Sequence, residues 1–460
     1  GDPARLQQVV GNLLSARWVV VPVYLVGAAA VLGLMATLVG TALFPPTDAG
    51  QFQLRMRAPT GTRVERTEQL AQEALRQIAA EADVKMSVGY VGMFPTNYPI
   101  QAVYQWTGGP EEVLLKVAVD RTSGVRTAAL KDKLRATLPD KLRGWLKERW
   151  KEDGVPPDQW DARAAGLRLS FEPGDLVSEV MSFGSPTPVE VQVSGSKPAD
   201  NVAFATRLLA RFRAIPELQD VQIAQTLDYP TVDVTVDRRR AATLGLTARG
   251  VGMSLVPATA SSRYVNPIYW RDPNTGMGYI VQVQVPPPRM YSVTEMGQLP
   301  VRGGGTGPAH WGANGHGSVY ASANSDGTAG GVLLRDVATV RETVSPGEVD
   351  RYNMRRMVGI TANVGTPDLG RVGRLVRRAV DDEKRATIEA FYAAREADLA
   401  KKPDDAAKRK LDAERAEALA TLKLPGGMSV DTRGQVETLD GVMGNLAVGL
   451  GVAVLVIFLL

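Results

Sequence analysis

A run of roughly 27 residues without a charge, at positions 18–44, constrains this chain more than any other feature. As an α-helix the run would be about 40 Å long, which exceeds the hydrocarbon core of a bilayer, about 30 Å. A signal peptide would have a shorter apolar region followed by a small-residue cleavage site. Arg5 and Arg17 precede the run, and the first basic residue after it is Arg55. We therefore predict a transmembrane helix whose N-terminal side is cytoplasmic.

A second apolar run, at positions 446–460, stops while it is still hydrophobic. It is shorter than the ~20 residues that a helix needs to cross a bilayer. We therefore expect that residues 437–460 are the beginning of a second, truncated membrane helix. The residues between the two runs would then form an exported domain.

The charge balance of the chain argues against a polyanionic partner. There are 53 basic and 49 acidic residues, which give a net charge of +4. The one conspicuous basic cluster, Arg238 to Arg240, follows an alternating strand pattern in VDVTVDRRRAATLGLT. We interpret it as the start of a short helix at a subdomain junction, with Ala241, Leu244 and Leu246 facing inward, and predict no nucleic-acid binding.

Few residues could support catalysis or bind a cofactor. The chain has no cysteine and two histidines, and His310 and His316 lie in a glycine-rich stretch that would not hold metal ligands in place. The glycines at 303–305 lack the lysine and the strand-to-helix context of a phosphate-binding loop. Because no nucleophile with a partner base is recognisable, we predict no enzyme activity, no cofactor and no resident metal.

The exported region divides into two similar halves of alternating strands and helices. In the first half, the strand QFQLRMRAP precedes the helical pattern TRVERTEQLAQEALRQIAA, the strands VKMSVGYV and EVLLKVAV, the helix TAALKDKLRATL and a strand at LRLSF. In the second half, VEVQVSG, a helix opened by Pro198, LQDVQIA and VDVTVD repeat this order. Each half suits a small sheet with helices on one face.

Two further segments interrupt this pattern. After residue 247 the sequence predicts the short strands GYIVQVQVP, LPVRGGGTG and GVLLRDVATV and a glycine-rich loop at 303–331, before the strand RRMVGITANV. Residues 371–423 are rich in Ala, Glu, Lys and Arg and predict two helices in a hairpin. The second half is therefore expected to carry a β-rich insertion and a helical extension.

Methionine and aromatic residues concentrate between positions 86 and 106. Met86, Val88 and Tyr90 alternate on one strand, and the segment GMFPTNYPIQAVYQW follows it. Such side chains adapt to varied apolar ligands and could form the wall of a binding site. Core packing at a subunit contact explains the same pattern equally well.

The order of these features resembles the second half of a resistance-nodulation-division (RND) permease, from its seventh transmembrane helix to the start of the eighth. The matching stretches include LFPPTDAGQFQLRMRAPTGTRVERTEQLAQ, FEPGDLVSEVMSFGSPTPVEVQVSG, VDVTVDRRRAATLGLT, LLRDVATV, RYNMRRMVGITANV and LPGGMSV. The resemblance implies a membrane-anchored α+β fold, in which two βαβ-type, ferredoxin-like porter subdomains and an inserted β-rich docking subdomain are flanked by transmembrane helices. The expected boundaries are a cytoplasmic segment at 1–16, a transmembrane helix at 17–44, a first porter subdomain at 45–186, a second porter subdomain at 187–231 and 345–435 with its extension at 371–423, a docking subdomain at 232–344 and the second span at 437–460.

The resemblance also implies a function, namely proton-driven export across the envelope of a bacterium with two membranes. Such permeases are homotrimers of the inner membrane with a large periplasmic part, and they pass amphiphilic small molecules through a periplasmic adaptor protein to an outer-membrane channel. The stretch MSVGYVGMF matches the family's deep-pocket strand and the loop beside it. The substrate-binding residues that the resemblance implies are Met86, Val88, Tyr90, Met93, Phe94, Leu115, Val189, Val191 and Val193.

Three interpretations of the substrate and role stay open. The segment PTGTRVERTEQ favours the branch that exports hydrophobic and amphiphilic compounds. Met86 and Met93 could instead serve a copper or silver exporter, although two thioethers make a weak soft-metal site. A membrane-anchored periplasmic interaction module that transports nothing is the third, because the intramembrane charges expected of proton coupling lie outside this chain.

Overall fold

The computed structural model describes residues 17–38, 40–42, 50–92, 107–120, 122, 124–174, 180, 182, 184–264, 268–286, 290, 292–301, 332–401 and 405–459. They divide into a main unit, Gly1–Leu227 with Pro346–Leu460, and an inserted unit, Asp228–Ser345. The elements in chain order are α1 (Arg17–Leu38), β1 (Gln51–Arg57), α2 (Val64–Ala79), β2 (Val84–Val91), β3 (Glu112–Val119), α3 (Thr127–Glu152), α4 (Trp160–Ala164), β4 (Arg168–Pro173), β5 (Val189–Ser194), α5 (Pro198–Arg213), β6 (Leu218–Ile223), β7 (Tyr229–Val236), α6 (Arg238–Thr243), α7 (Ala248–Thr259), β8 (Ile268–Arg271), β9 (Gly278–Val281), α8 (Val293–Gly297), α9 (Leu334–Val337), β10 (Ala338–Ser345), β11 (Arg351–Tyr352), β12 (Arg355–Val364), α10 (Leu369–Leu399), α11 (Asp405–Thr421), β13 (Ser429–Gly434) and α12 (Gln435–Leu459).

The first half of the main unit is an antiparallel sheet in the order β2-β3-β1-β4. Alternate residues of β1 point to one side, so Leu54 meets Leu115 of β3 and Phe171 of β4 in the register of the sheet. Helices α2 and α3 cover this side. In α3 the buried leucines recur at every fourth position and form one apolar stripe. The predicted helix TAALKDKLRATL is thus the first part of a longer one.

The second half repeats the same arrangement with different residues. Its sheet has the order β6-β12-β5-β13, and β11 pairs with the start of β12. Strands β6 and β12 are adjacent in the sheet, although the whole inserted unit separates them in the chain. The core combines the valines of β5 with residues of α5 and α10, including Phe204, Phe212 and Val376. The mixed helix-and-strand architecture expected from the sequence is confirmed.

Helices α10 and α11 form the predicted hairpin. Helix α10 has 31 residues and α5 beside it has 16, so α10 is about 20 Å longer than α5. The buried carboxylate of Glu383 fixes the crossing, since it accepts hydrogen bonds from Arg207 Nε and Arg211 Nε of α5 at 2.6 Å each. Beyond this point Ile388 and Leu411 are buried between the two hairpin helices.

The start of α10 contacts the chain next to both apolar helices. Its N-cap residue Asp368 accepts a hydrogen bond from the backbone N–H of Thr41, which follows α1, at 3.1 Å. One turn further, a Cβ on Gly373 would come within 2.8 Å of Val436 of α12, so only glycine allows this close approach. Arg377 pairs with Asp440 of α12.

Among the described residues, α12 is the one helix that is long and apolar enough to cross a membrane by length and composition. It has 25 residues. Helix α1 contains a shorter apolar segment, Pro22–Met35.

The inserted unit is built on a ribbon of β7 and β10, paired along eight residues. The arginine triplet opens α6, as expected, and the preceding Asp237 caps that helix by accepting hydrogen bonds from Arg239 N and Arg240 N. Ala241 and Leu246 enter the core of the unit. Leu244, however, is 47% exposed, so its predicted inward orientation is wrong, because the helix ends at Thr243 and the chain turns there.

The stretch GVLLRDVATV is not one strand. Leu334 to Val337 form the short helix α9 and β10 begins only at Ala338. The reason is local, since the Asp336 carboxylate accepts a hydrogen bond from the backbone N–H of Leu333 and caps the turn. Leu334 and Val337 are buried and anchor this turn in the core.

Candidate functional site

The candidate site is the polar interface between the two sheets of the main unit. Strand β1 places Phe52, Leu54 and Met56 in the core, so its other residues point away from the helices. On a sheet with one solvated face those residues would be exposed, but here β6 and β12 contact β4 and cover them. The buried polar side chains on this second face of the first sheet are Gln53, Glu112, Ser170 and Glu172, and the mostly buried ones are Arg55 and Arg57.

Arg55 and Glu172 form an ion pair inside this interface. Arg55 Nε donates to Glu172 Oε1 at 2.8 Å and its Nη2 donates to Oε2 at 3.3 Å. The pair is bidentate, which is the strong geometry for a guanidinium and a carboxylate. Burial raises the pKa of Glu172, and the charge of Arg55 opposes that shift. The carboxylate therefore depends on its arginine to stay ionised.

Asp220 of β6 connects the two halves. Its Oδ1 accepts from Arg135 Nε at 2.9 Å, and its Oδ2 accepts from Arg135 Nη2 at 3.0 Å, Phe171 N at 2.9 Å and Asn363 Nδ2 at 2.9 Å. Asn363 also donates to Ser170 Oγ at 2.9 Å. One carboxylate thus joins α3, β4 and β12.

The backbone at Asp220 is unusual for a residue in a strand. Its φ is +54°, in the left-handed region that costs an L-residue roughly 1–2 kcal/mol. Aspartate tolerates this conformation better than most residues. The pairing register of β12 with β6 shifts between Thr361 and Asn363, next to the Asn363 contact. The local distortion accompanies the placement of the Asp220 carboxylate between three elements.

A second group of carboxylates lies close to Arg57. Glu112 Oε1 accepts from Arg57 Nε at 2.8 Å and its Oε2 accepts from Gly108 N at 2.6 Å, and Arg57 also donates to the carbonyl of Ala224 in the other half. Burial, together with the negative charges of Asp350 and Glu112, raises the pKa of Glu348 to about 7. Glu348 therefore exchanges its proton near neutral pH.

This shift makes the stability of the main unit pH-dependent. The pKa of Glu348 rises from an ordinary 4.5 to about 7 on folding, so between these values the folded state holds a proton that the unfolded state has released. The free energy of unfolding should therefore fall as pH rises from 5 to 8. Glu348→Gln is expected to reduce that fall, measured by urea unfolding of the protein in detergent at both pH values. Glu389→Gln, at an exposed position of α10, is the control, and an unchanged pH dependence in Glu348→Gln would contradict the assignment.

The predicted substrate residues on β2 lie at the edge of the first sheet. Met86 is 63% exposed and Val88 42% exposed, while Tyr90 is half-buried. Strand β2 pairs with β3 and with no other described strand. Met93 and Phe94 lie outside the described residues, and so do His310 and His316.

The other predicted substrate residues lie in the two cores instead. Leu115 packs in the first core, and Val189, Val191 and Val193 pack in the second. Their alternation along the strands is the signal of a core-facing side, whereas their assignment to a substrate pocket came from the family resemblance alone. Side chains at these positions cannot contact a substrate unless the core is unpacked.

Sequence reasoning missed the interface network. Asp220, Asn363 and Glu348 belong to segments with no distinctive local motif, and only their burial and shared contacts identify them. Within the described part of the chain, no group of three or more His, Cys, Asp or Glu residues has the geometry to hold a metal ion. What the network does provide is a charged contact surface that includes a carboxyl group titrating near neutral pH.

Comparison with known proteins gives a consistent picture. Residues 163–386 match the AcrB/AcrD/AcrF family model. Over 260 residues, 56% of this chain, the sequence is 28% identical to the nickel-cobalt-cadmium resistance protein NccA of Alcaligenes xylosoxydans xylosoxydans. Over 261 residues, again 56% of the chain, it is 26% identical to the nickel and cobalt resistance protein CnrA of Cupriavidus metallidurans. The aligned parts span 18% of the length of each of these relatives.

The fold has a counterpart among solved structures. A crystal structure described as a heavy metal efflux pump (crystal form I) superposes on 99% of this chain with a TM-score of 0.63 and 19% sequence identity, and the match spans 38% of that pump. At this identity the likeness concerns the fold. The family match and the curated relatives add sequence evidence, and together they confirm the resemblance seen in the sequence to the resistance-nodulation-division efflux permeases.

Proposed function

We propose that this chain is the periplasmic portion of the second half of an RND exporter of divalent heavy-metal cations. The observation that carries the proposal is its similarity to resistance proteins named for nickel, cobalt and cadmium. These relatives favour the metal alternative over the export of amphiphilic compounds that the segment PTGTRVERTEQ had suggested. They also name metals other than the copper and silver considered for Met86 and Met93.

The charges of the interface agree with a cationic substrate. Four carboxylates described there, Glu112, Glu172, Asp220 and Asp350, are matched by the guanidinium groups of Arg55, Arg57, Arg135 and Arg168, and Glu348 adds an excess negative charge when it is deprotonated. A cleft lined by an excess of one sign of charge raises the local concentration of the opposite ion. Such an interface would attract a divalent cation when its two sheets separate.

The remaining features of the proposal follow the family. The strand order shared by the two halves supports ferredoxin-like porter subdomains, and α12 supports anchoring in the inner membrane with the bulk of the chain in the periplasm. We propose further that the complete protein is a homotrimer, that it works with a periplasmic adaptor and an outer-membrane channel, and that it has no enzymatic activity.

A tolerance assay tests the function. The complete gene, expressed with its adaptor and channel in a metal-sensitive bacterium with two membranes, should raise tolerance to nickel, cobalt or cadmium several-fold and lower the cellular content of that metal. Omission of the adaptor gene is the control. Tolerance confined to organic amphiphiles would instead support the interpretation that the protein exports hydrophobic and amphiphilic compounds. No change in tolerance, with the protein present in the membrane, would favour an interaction module.

A further inference from the structure

The segment between β10 and β11 carries two acidic side chains, Glu348 and Asp350. We call residues 346–350 the return segment. Hydrogen bonds hold it to the second half of the main unit. Gly347 N donates to Thr226 O at 2.9 Å, and Gln225 Nε2 donates to Asp350 Oδ2 at 2.5 Å. Because Gln225 and Thr226 follow β6 directly, the return segment is part of the second half.

The return segment meets the first half through Glu348. Its carboxyl group lies against the backbone of Gly108, where a Cβ would come within 2.9 Å of Glu348 Oε2. Gly108 N donates to Glu112 Oε2 at 2.6 Å, so the carboxyl groups of Glu348 and Glu112 flank the same glycine. Arg57 in turn donates from Nε to Glu112 Oε1 at 2.8 Å. Glu348 is therefore a contact between the two halves.

This contact needs a proton. Glu348 is hydrogen-bonded to Asp350, and an ionised carboxylate can only accept hydrogen bonds. One of these two carboxyl groups must therefore carry a proton for the bond to form. The positive charge nearby does not replace that proton, because Arg57 is already paired with Glu112.

The surroundings of Glu348 explain why the proton resides there. The charged groups that face it are Arg57 of β1, Glu112 of β3, Asp350 of the return segment and, with a weaker influence, Arg55 of β1. Burial and the charges of Asp350 and Glu112 raise the pKa of Glu348 to about 7, while Arg57 opposes the shift. The ionised fraction of Glu348 therefore rises about ninefold between pH 6 and pH 8.

Ionisation of Glu348 works against the contact. It removes the hydrogen bond to Asp350 and adds a negative charge next to two others, which repel it across a partly buried site. Glu112 is held by Arg57 and by Gly108 N, and Asp350 is held by Gln225. The displacement therefore falls on Glu348, whose carboxyl group moves away from Gly108.

We propose that Glu348 is a pH-sensitive latch between the two halves of the main unit, closed when its carboxyl group is protonated and released when it is ionised. The polar interface would then loosen as the surrounding pH rises from 6 to 8. The inference goes beyond the proposed function, because the latch lies outside the membrane-spanning helices and does not depend on which substrate is exported.

Distance measurements between two spin labels test the latch. The chain has no cysteine, so labels can be attached through Glu65→Cys in the first half and Met354→Cys in the second, both at exposed positions. Double electron–electron resonance of the full-length protein in detergent should show a population of longer distances that grows several-fold from pH 6 to pH 8. Its midpoint should lie near the pKa of Glu348, about 7.

Glu348→Gln in the labelled protein separates the latch from other titrations. Its amide stays neutral and can donate to Asp350, so the variant should give the pH 6 distances at both pH values. Glu389→Gln, at an exposed position of α10, is the control and should respond to pH like the unmodified protein. Equal distances at pH 6 and pH 8 in the unmodified protein would overturn the latch. So would a full pH response in Glu348→Gln that circular dichroism shows to be folded.

Hydrogen exchange provides a second measurement that needs no variant. After correction for the pH dependence of intrinsic exchange, the peptide that contains Gly108 should exchange several-fold faster at pH 8 than at pH 6. The peptide that covers β5, in the second core, should show no such change. Equal corrected rates for Gly108 at the two pH values would refute the release. Failure of the metal-tolerance assay would leave these results interpretable, because none of them depends on transport.

Discussion

Asp220→Ala is expected to lower the free energy of unfolding of the main unit by about 3 kcal/mol. The substitution removes an acceptor of four hydrogen bonds and leaves the guanidinium of Arg135 with only the exposed carboxylate of Asp132 as an ion-pair partner. Arg135 is mostly buried, with 19% of its side chain exposed, so water compensates for the loss only in part. Urea unfolding of the protein in detergent, with circular dichroism as the signal, measures the change.

Two further variants separate charge from backbone strain. Asp220→Gly also removes the carboxylate, but it accepts the φ of +54° without penalty. It should therefore be about 1 kcal/mol more stable than Asp220→Ala. Asp382→Ala, at an exposed position of α10, is the surface control. If Asp220→Gly were as stable as the unmodified protein, the strained backbone and not the carboxylate network would explain the effect.

Arg55→Met is expected to destabilise the protein by about 3–5 kcal/mol, because it leaves the Glu172 carboxylate buried and uncompensated. Burial already raises the pKa of Glu172, and without Arg55 the shift should be larger. Since the folded state would then hold a proton above the ordinary pKa of 4.5, the loss should be smaller at pH 5 than at pH 8. Urea unfolding at the two pH values measures both effects.

The matched variant for this prediction removes both charges. Arg55→Met combined with Glu172→Leu should recover most of the lost stability, since an apolar pair of similar volume can replace a buried ion pair at little cost. A double variant as unstable as Arg55→Met would show that the two side chains act through packing and not through their charges.

The strands of the main unit could be predicted because their apolar residues alternate. Phe52, Leu54 and Met56 mark the core side of β1 in the sequence and occupy it in the structure. The same alternation predicts that Arg55 and Arg57 face water. They are mostly buried, and Arg57 donates to the carbonyl of Ala224 in the second half of the chain. No local pattern encodes contacts between residues more than one hundred positions apart.

The substrate class was harder to predict than the fold for a related reason. The segment PTGTRVERTEQ contributes the turn at Gly61 and the first turns of α2. Leu70, directly after this segment, packs in the first core. Residues that build a turn and a helix report the fold, whereas selectivity depends on a few side chains at a cleft. The comparisons therefore support the resemblance, whereas they support the preferred branch less well than its alternative.

The base of α10 has a mechanical consequence. Within its first turns the helix is joined to the residue after α1 through Asp368 and to α12 through Gly373 and Arg377. Its 31 residues span about 46 Å, so a tilt of about 5° at this base would displace the far end by about 4 Å. The two apolar helices thus share one lever arm, and a small rotation between them is amplified at the tip of the hairpin.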